Sequence, residues 1–225
     1  MKLVRRIVPQ TIALPLFLCL VFNMLCYYGG MLLSGLFPVH NWTLPIDDRI
    51  PVRPWWVTVY VLSFLFWAAN YILASRDRAG LVYRLAAADL FSKAVSLLIF
   101  IFLPMTMTQP QVQTRDFGSW LLNLIYKLDE PTNLFPSLHC TMAWLSLRPL
   151  FGCKSVPKWY KAFSAVFFVL ILFSTLFTKQ HVFVDVIAGW VLGVIAYELA
   201  PHLPLMRWLE RLNEAYLGFL ERRHA

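Results

Sequence analysis

The chain has 225 residues, 59% hydrophobic and 14% charged, with mean hydropathy +0.61, whereas soluble domains are nearer a quarter charged, so the bilayer is the expected solvent. Its formal net charge of +8 comes from basic residues set between apolar runs, which suits anionic lipid headgroups and argues against a nucleic-acid partner. Cys19, Cys26, Cys140 and Cys153 show no metal-like pairing and are expected as four free thiols.

The first apolar run covers about Thr11 to Phe37 behind Lys2, Arg5 and Arg6. It exceeds the ~7–15-residue core of a signal peptide, and no small-x-small cleavage site follows, so it reads as a span. Pro38–Pro54, with Asp47, Asp48 and the breakers Pro51 and Pro54, is a loop that ends on the interfacial anchors Trp55 and Trp56. Further spans are predicted at Trp55–Ala74, Ala86–Met105, Phe135–Gly152, Tyr160–Phe177 and Val182–Leu199. The long connection Thr106–Leu134 holds Trp120–Tyr126, whose mixed faces predict a short interfacial helix. No internal repeat is visible, so residues 1–225 read as one polytopic membrane domain, an all-α bundle of about six transmembrane helices.

Basic residues set the expected orientation. Arg76, Arg78, Arg84, Arg148, Lys154, Lys158 and Lys161 fall on the side of the N-terminus, as do the C-terminal Arg207, Arg211, Arg222 and Arg223. The other side holds only Arg49, Arg53, Arg115, Lys127 and Lys179. Both termini are therefore expected in the cytoplasm, and the plasma membrane of a bacterium is the expected location.

Ionisable groups at membrane depth are costly and define the candidate chemistry. Asp89 and Lys93, at i and i+4, read as a self-neutralising structural pair, and Glu198 as a solvated or arginine-paired group at a helix end. His181 and Asp185 also stand one turn apart, but at the outer start of the last span. There a carboxylate fixes one ring nitrogen and leaves the other as nucleophile or base. Asn133–His139 opens the fourth span; Pro136 and Ser137 are ordinary helix-start residues, and His139 sits one turn in. Two histidines, a carboxylate, Ser137 and Lys179 at outer helix ends, where dipoles and unpaired N–H groups gather, point to phosphate.

Phe135-Pro-Ser-Leu-His139 followed by Ser174-x4-Lys179-Gln180-His181-x3-Asp185-x3-Gly189 resembles the type 2 phosphatidic acid phosphatase superfamily. Within it the pattern is most similar to the branch of inositol phosphorylceramide and sphingomyelin synthases, with motifs over about residues 104–189. The resemblance implies that His181 attacks phosphorus, Asp185 orients it and His139 protonates the departing oxygen. A phosphohistidine then passes to water or to an alcohol, without metal or other cofactor. The implied substrate is a lipid phosphate or lipid pyrophosphate, with an alcohol acceptor if the reaction is a transfer.

The chain departs from the family's hydrolase pattern at its cations. Gln109-Pro110 stands for Arg-Pro, Phe102 for the lysine, Leu138 for the glycine of Pro-Ser-Gly-His, and Thr175 for the arginine after Ser174. Lys179 and Arg115 are the candidate replacements, with Ser137, Gln109 and Ser174 as further phosphate-site candidates, and the deficit favours transfer over hydrolysis. The rival expectation is a non-catalytic lipid-binding or transporter-like member of the same scaffold. The two differ on whether His139, His181 and Asp185 meet with Lys179 facing them.

Overall fold

A computed structural model describes residues 8–129 and 131–224. The basic trio Lys2, Arg5 and Arg6 lies outside the described residues. The chain is an all-α membrane bundle, and among the described residues five helices are long and apolar enough to cross a bilayer.

Helix α1 spans Gln10–Leu33. A loop carrying the short α2, Pro45–Arg49, leads through a 3-10 turn at Pro54–Trp56 into α3, Val57–Asp77. Then come α4, Ala79–Phe102, and the connecting helix α5, Phe117–Leu128, which contains the predicted Trp120–Tyr126 segment. Helices α6, Leu138–Leu147, α7, Lys158–Phe177, and α8, Phe183–Leu199, carry both motifs. The chain closes with α9, Pro204–His224.

The fourth predicted span, Phe135–Gly152, is shorter than the rest. It is the 10-residue α6 with a 3-10 extension over Arg148–Gly152. At ~1.5 Å per α residue and ~2.0 Å per 3-10 residue it reaches about 25 Å, short of the ~30 Å hydrocarbon core. Ser137 caps its start, and Pro149 withholds an N–H at its end. The shortfall is tolerated because α6 is enclosed by α3, α7 and α8, with Cys140, Ala143 and Leu145 fully buried. The long helices meet lipid instead, through exposed Leu20, Leu25, Leu65, Val166 and Ile195.

Helices α6 and α8 approach closely at two glycines. A Cβ on Gly189 would lie 2.2 Å from the Ser137 carbonyl oxygen, and one on Gly193 would lie 3.1 Å from that of Thr141. Small residues one turn apart let backbones meet in membranes, where water supplies no driving force between helices. Thr141 Oγ1 sits 2.8 Å from the Gly189 carbonyl and ties the pair together.

The charged groups inside the bundle away from the motifs are paired. Lys93 Nζ donates to Asp89 Oδ2 at 2.6 Å, as the i, i+4 spacing predicts, and reaches the Cys19 carbonyl of α1 at 3.2 Å. Tyr71 donates to the other carboxylate oxygen at 2.7 Å. Glu198 accepts from Arg84 at 3.0 Å and from Arg148 at 3.2 Å. The four cysteines are free and buried.

Helix α9 is amphipathic, so no long apolar run in the sequence announces it. It lies on α1 and α4, with Leu209 buried and Asn213 Nδ2 donating to the Thr11 carbonyl at 2.8 Å.

Candidate active site

The motif residues meet where α7 ends and α6 and α8 begin. Helix α7 stops in a Schellman turn. The Gln180 amide reaches back to the Thr175 carbonyl at 3.0 Å and the Lys179 amide to that of Leu176 at 3.1 Å, with Lys179 left-handed at φ 50°. Glycine is the usual residue there, so lysine holds this conformation at a cost of order 1 kcal/mol or more.

Four contacts from distant parts of the chain brace the turn. The Arg53 amide donates to the Phe177 carbonyl at 2.9 Å and Tyr126 of α5 to that of Thr178 at 2.6 Å. Lys179 Nζ donates to the Asp47 carbonyl at 2.5 Å. The Asp47 carboxylate accepts the Phe183 amide at 2.7 Å through one oxygen and the Leu44 amide at 2.8 Å through the other, capping α8 from the α2 loop.

This framework presents His181. Its Nδ1 lies 3.4 Å from Asp185 Oδ2, which also accepts the Val182 amide at 3.1 Å. Asp185 is fully buried, and its Oδ1 has no hydrogen-bond partner. The Ser137 amide donates to the Asp185 carbonyl at 3.1 Å, so the first motif docks on the second through backbone.

His139, in the first turn of α6, faces His181 with ring centroids 6.2 Å apart. Aromatic side chains of α3 fix its ring: Tyr60 stacks on it at 4.1 Å, and Trp67 and Phe64 meet it edge-on at 4.9 and 5.4 Å. Its Nε2 is buried without a partner. Two imidazoles about 6 Å apart leave room for one tetrahedral group between them.

Both rings line a cavity of about 910 Å³ bounded by α1, α3, α5 and the α7–α8 turn. Its walls are chiefly apolar, with Leu16, Phe17, Met24, Phe64, Ala68 and Ile72 among them, and Lys93 reaches it through α4. Near the histidines it is polar. Asp129 accepts from Tyr27 at 2.7 Å and from Tyr60 at 3.2 Å, so the tyrosine that stacks on His139 is itself anchored to a carboxylate.

The other expected phosphate-site residues do not line this cavity. Lys179 is the clearest departure, because its ammonium is turned away to Asp47 and braces the turn. The Ser137 hydroxyl accepts the Cys140 amide at 3.3 Å, and the Ser174 hydroxyl donates to the Ile171 carbonyl at 2.7 Å. Arg115 is exposed and donates to Gln113 at 2.8 Å. Gln109 is half-buried, with its Nε2 lacking a partner. The helix-end amides expected to attract an anion are also partly spoken for, since those of Val182, Phe183, Ser137 and Cys140 already have acceptors.

The sequence reading missed Asp129, Tyr27, Tyr60 and Gln180. The first three meet across 102 and 69 positions of chain, a distance at which spacing carries no signal. Gln180 adjoins His181 in the chain but carries no charge to mark it.

Comparison with curated proteins and with solved structures returned no match. A family model described as the PAP2 superfamily matches residues 37–199, from the loop before α2 to the end of α8, and so takes in both motifs, α3 and the α7–α8 turn, while α1 lies outside it. By that match over most of its length, the chain belongs to the PAP2 superfamily.

Proposed function

We propose that the chain is a lipid phosphatase or phosphotransferase that forms a phosphohistidine on His181, at the extracytoplasmic face of a bacterial plasma membrane. A superfamily of phosphatases and phosphotransferases supports an enzyme. The observation that carries the finer reading is the pair of imidazoles from different helices, 6.2 Å apart at the head of an apolar cavity, one of them beside a buried carboxylate.

In this reading Asp185 holds Nδ1 of His181, and Nε2 attacks phosphorus. The P–N bond forms as the bond from phosphorus to the leaving oxygen breaks, and protonated His139 gives that oxygen its proton. Neutral His139 then takes a proton from water or from an alcohol, whose oxygen attacks phosphorus and breaks the P–N bond. Water completes a phosphatase cycle and a lipid or polyol hydroxyl completes a transfer. The apolar cavity suits an acyl or prenyl chain, so the substrate is a lipid phosphate, a lipid pyrophosphate or a phospholipid. Resemblance to the inositol phosphorylceramide and sphingomyelin synthases favours transfer. So does the lack, among the described residues lining the cavity, of any lysine or arginine except Lys93, which is paired with Asp89. The sidedness rests on the loop charges, with Arg76, Arg78, Arg84 and Arg148 at the end away from the histidines.

The test is purified protein in lipid vesicles with labelled phosphatidic acid, lipid pyrophosphates and phospholipids, with and without alcohols. The parent is expected to release or transfer label and, on rapid quench, to show an alkali-stable, acid-labile phosphoenzyme. His181→Ala is expected to give neither, and His139→Ala to turn over about 10²–10⁴-fold slower. Parental turnover by His181→Ala refutes the mechanism; no turnover by the parent itself leaves a lipid-binding or transporter-like protein.

A further inference from the structure

Phosphoryl transfer depends on groups that stabilise charge on the phosphoryl oxygens, and each lost donor in such a site costs orders of magnitude in rate. The charged candidates are engaged elsewhere: Lys179 binds the Asp47 carbonyl, Arg115 binds Gln113, and Lys93 binds Asp89 and the Cys19 carbonyl. Of the backbone donors at the two helix starts, those of Ser137, Cys140, Val182 and Phe183 have acceptors.

Among the described residues lining the cavity, two uncharged side-chain N–H donors are buried without a partner. Gln180, immediately before His181, is 4% exposed, and its Nε2 is buried without a hydrogen-bond partner. Trp67, 4.9 Å from His139 between ring centres, is 6% exposed, and its Nε1 is likewise unpartnered. Both residues line the cavity. A buried N–H without an acceptor costs about 1–3 kcal/mol, and native structures rarely retain one unless something fills the need. Here one belongs to the residue next to His181 in the chain and the other to a ring packed on His139, and both residues line the same cavity.

We propose that Gln180 Nε2 and Trp67 Nε1 bind the phosphoryl oxygens of the substrate, taking the place of the family's lysine and arginines. This rests on the phosphohistidine reading and adds residues that the reading does not use. Neutral donors stabilise one negative charge well and a second poorly, and the Asp129 carboxylate in the same cavity opposes a second charge further. The preferred substrate is therefore a singly charged phosphodiester, as in a phospholipid headgroup, over a dianionic monoester. The Schellman turn explains the position of Gln180: one residue past left-handed Lys179, its backbone is fixed by the Thr175 carbonyl.

The test is orthovanadate, a mimic of the phosphoryl group in transfer, titrated against the detergent-solubilised full chain and read as a rise in melting temperature. The parent is expected to bind, and His181→Ala to lose binding. Gln180→Met, which keeps the shape but removes the donor, and Gln180→Glu, which replaces the amide by a carboxyl that repels the anion when ionised, are expected to weaken binding at least tenfold, and Trp67→Phe severalfold, with ligand-free melting temperatures near the parent's. Gln180→Lys is expected to restore binding and to shift turnover toward monoester lipids. Unchanged vanadate affinity in both Gln180→Met and Gln180→Glu, while His181→Ala is null, overturns this proposal and leaves the phosphohistidine reading standing. A parent that does not bind vanadate, or His181→Ala that binds like the parent, overturns both. Failure of both Gln180→Met and Gln180→Glu to fold assigns the residue to the scaffold and overturns the proposal.

Discussion

Asp185 and Lys179 are both charged and both within a few residues of His181, yet the structure gives them different work. Asp185 Oδ2 touches the ring nitrogen and the Val182 amide, so Asp185→Asn keeps volume and one acceptor but loses the charge that steadies an imidazolium. Turnover is expected to fall about 10²–10⁴-fold, the range for losing acid–base function, with melting temperature nearly unchanged. Single-turnover rates beside thermal melts check this, and equal losses in both assign the carboxylate a structural role. Lys179, by contrast, donates to the Asp47 carbonyl from a left-handed backbone. Lys179→Gly relieves that backbone while removing the brace, so activity is expected to drop less than tenfold with KM for lipid little changed. A large rise in KM alone restores lysine as a phosphate ligand. The local motif was legible because His181 and Asp185 sit one turn apart and meet within one stretch of chain. The work of Lys179 was not, because its partner lies 132 positions away. A cation next to a phosphate motif reads as a ligand until its acceptor is seen.

Elements carry these residues through their ends and close contacts. Helix α6 can place Ser137 and His139 against α8 only because Gly189 has no side chain, its Cβ position lying 2.2 Å from a backbone oxygen that cannot move aside. Gly189→Ala is expected to destabilise by about 1–3 kcal/mol and to part the histidines, with activity falling further than stability. Gly80→Ala, where a Cβ meets open space, is the control and is expected within about 0.5 kcal/mol of the parent. Thermal melts of the two variants decide between a steric contact and a general glycine effect. Helix α5 depends on its start: Asp116 Oδ1 accepts the Ser119 amide at 2.8 Å. That amide, with the Ser119 hydroxyl next, holds the carboxyl below the usual range. A depressed carboxylate contributes stability that is present above its unfolded pKa of about 3.9 and lost as pH falls through the folded value. Protection of the Ser119 amide, relative to its intrinsic exchange rate, is therefore expected to fall as pH drops below that unfolded value while amides in mid-α5 stay protected. The sequence marked α5 through its alternating faces, whereas the shortness of α6 was hidden, because its apolar run continues into a 3-10 turn that periodicity does not distinguish.

At the scale of the whole molecule, one apolar cavity joins the histidine pair to a charged pair inside the membrane, since Lys93 lines it too. Composition alone showed that the chain is a membrane bundle, because the bilayer imposes long apolar helices on any sequence that crosses it. Which helices enclose the cavity was not legible, because that depends on contacts such as Lys93 Nζ with the Cys19 carbonyl across 74 positions. Asp89 is fully buried and Lys93 1% exposed, with Tyr71 completing the cluster. Attraction between such charges roughly offsets the cost of removing them from water, but a lone survivor has no compensation. Lys93→Met and Asp89→Leu are therefore each expected to destabilise by about 3–5 kcal/mol, and the double substitution by much less than their sum. If the pair is only a clamp between α4 and α1, the double variant keeps parental turnover on every lipid. If Lys93 also meets the substrate, the double variant is stable but loses rate on lipids whose chains reach that depth and keeps it on short-chain ones. Melting temperatures and chain-length profiles of the four proteins in that cycle separate a clamp from a second contact with the substrate.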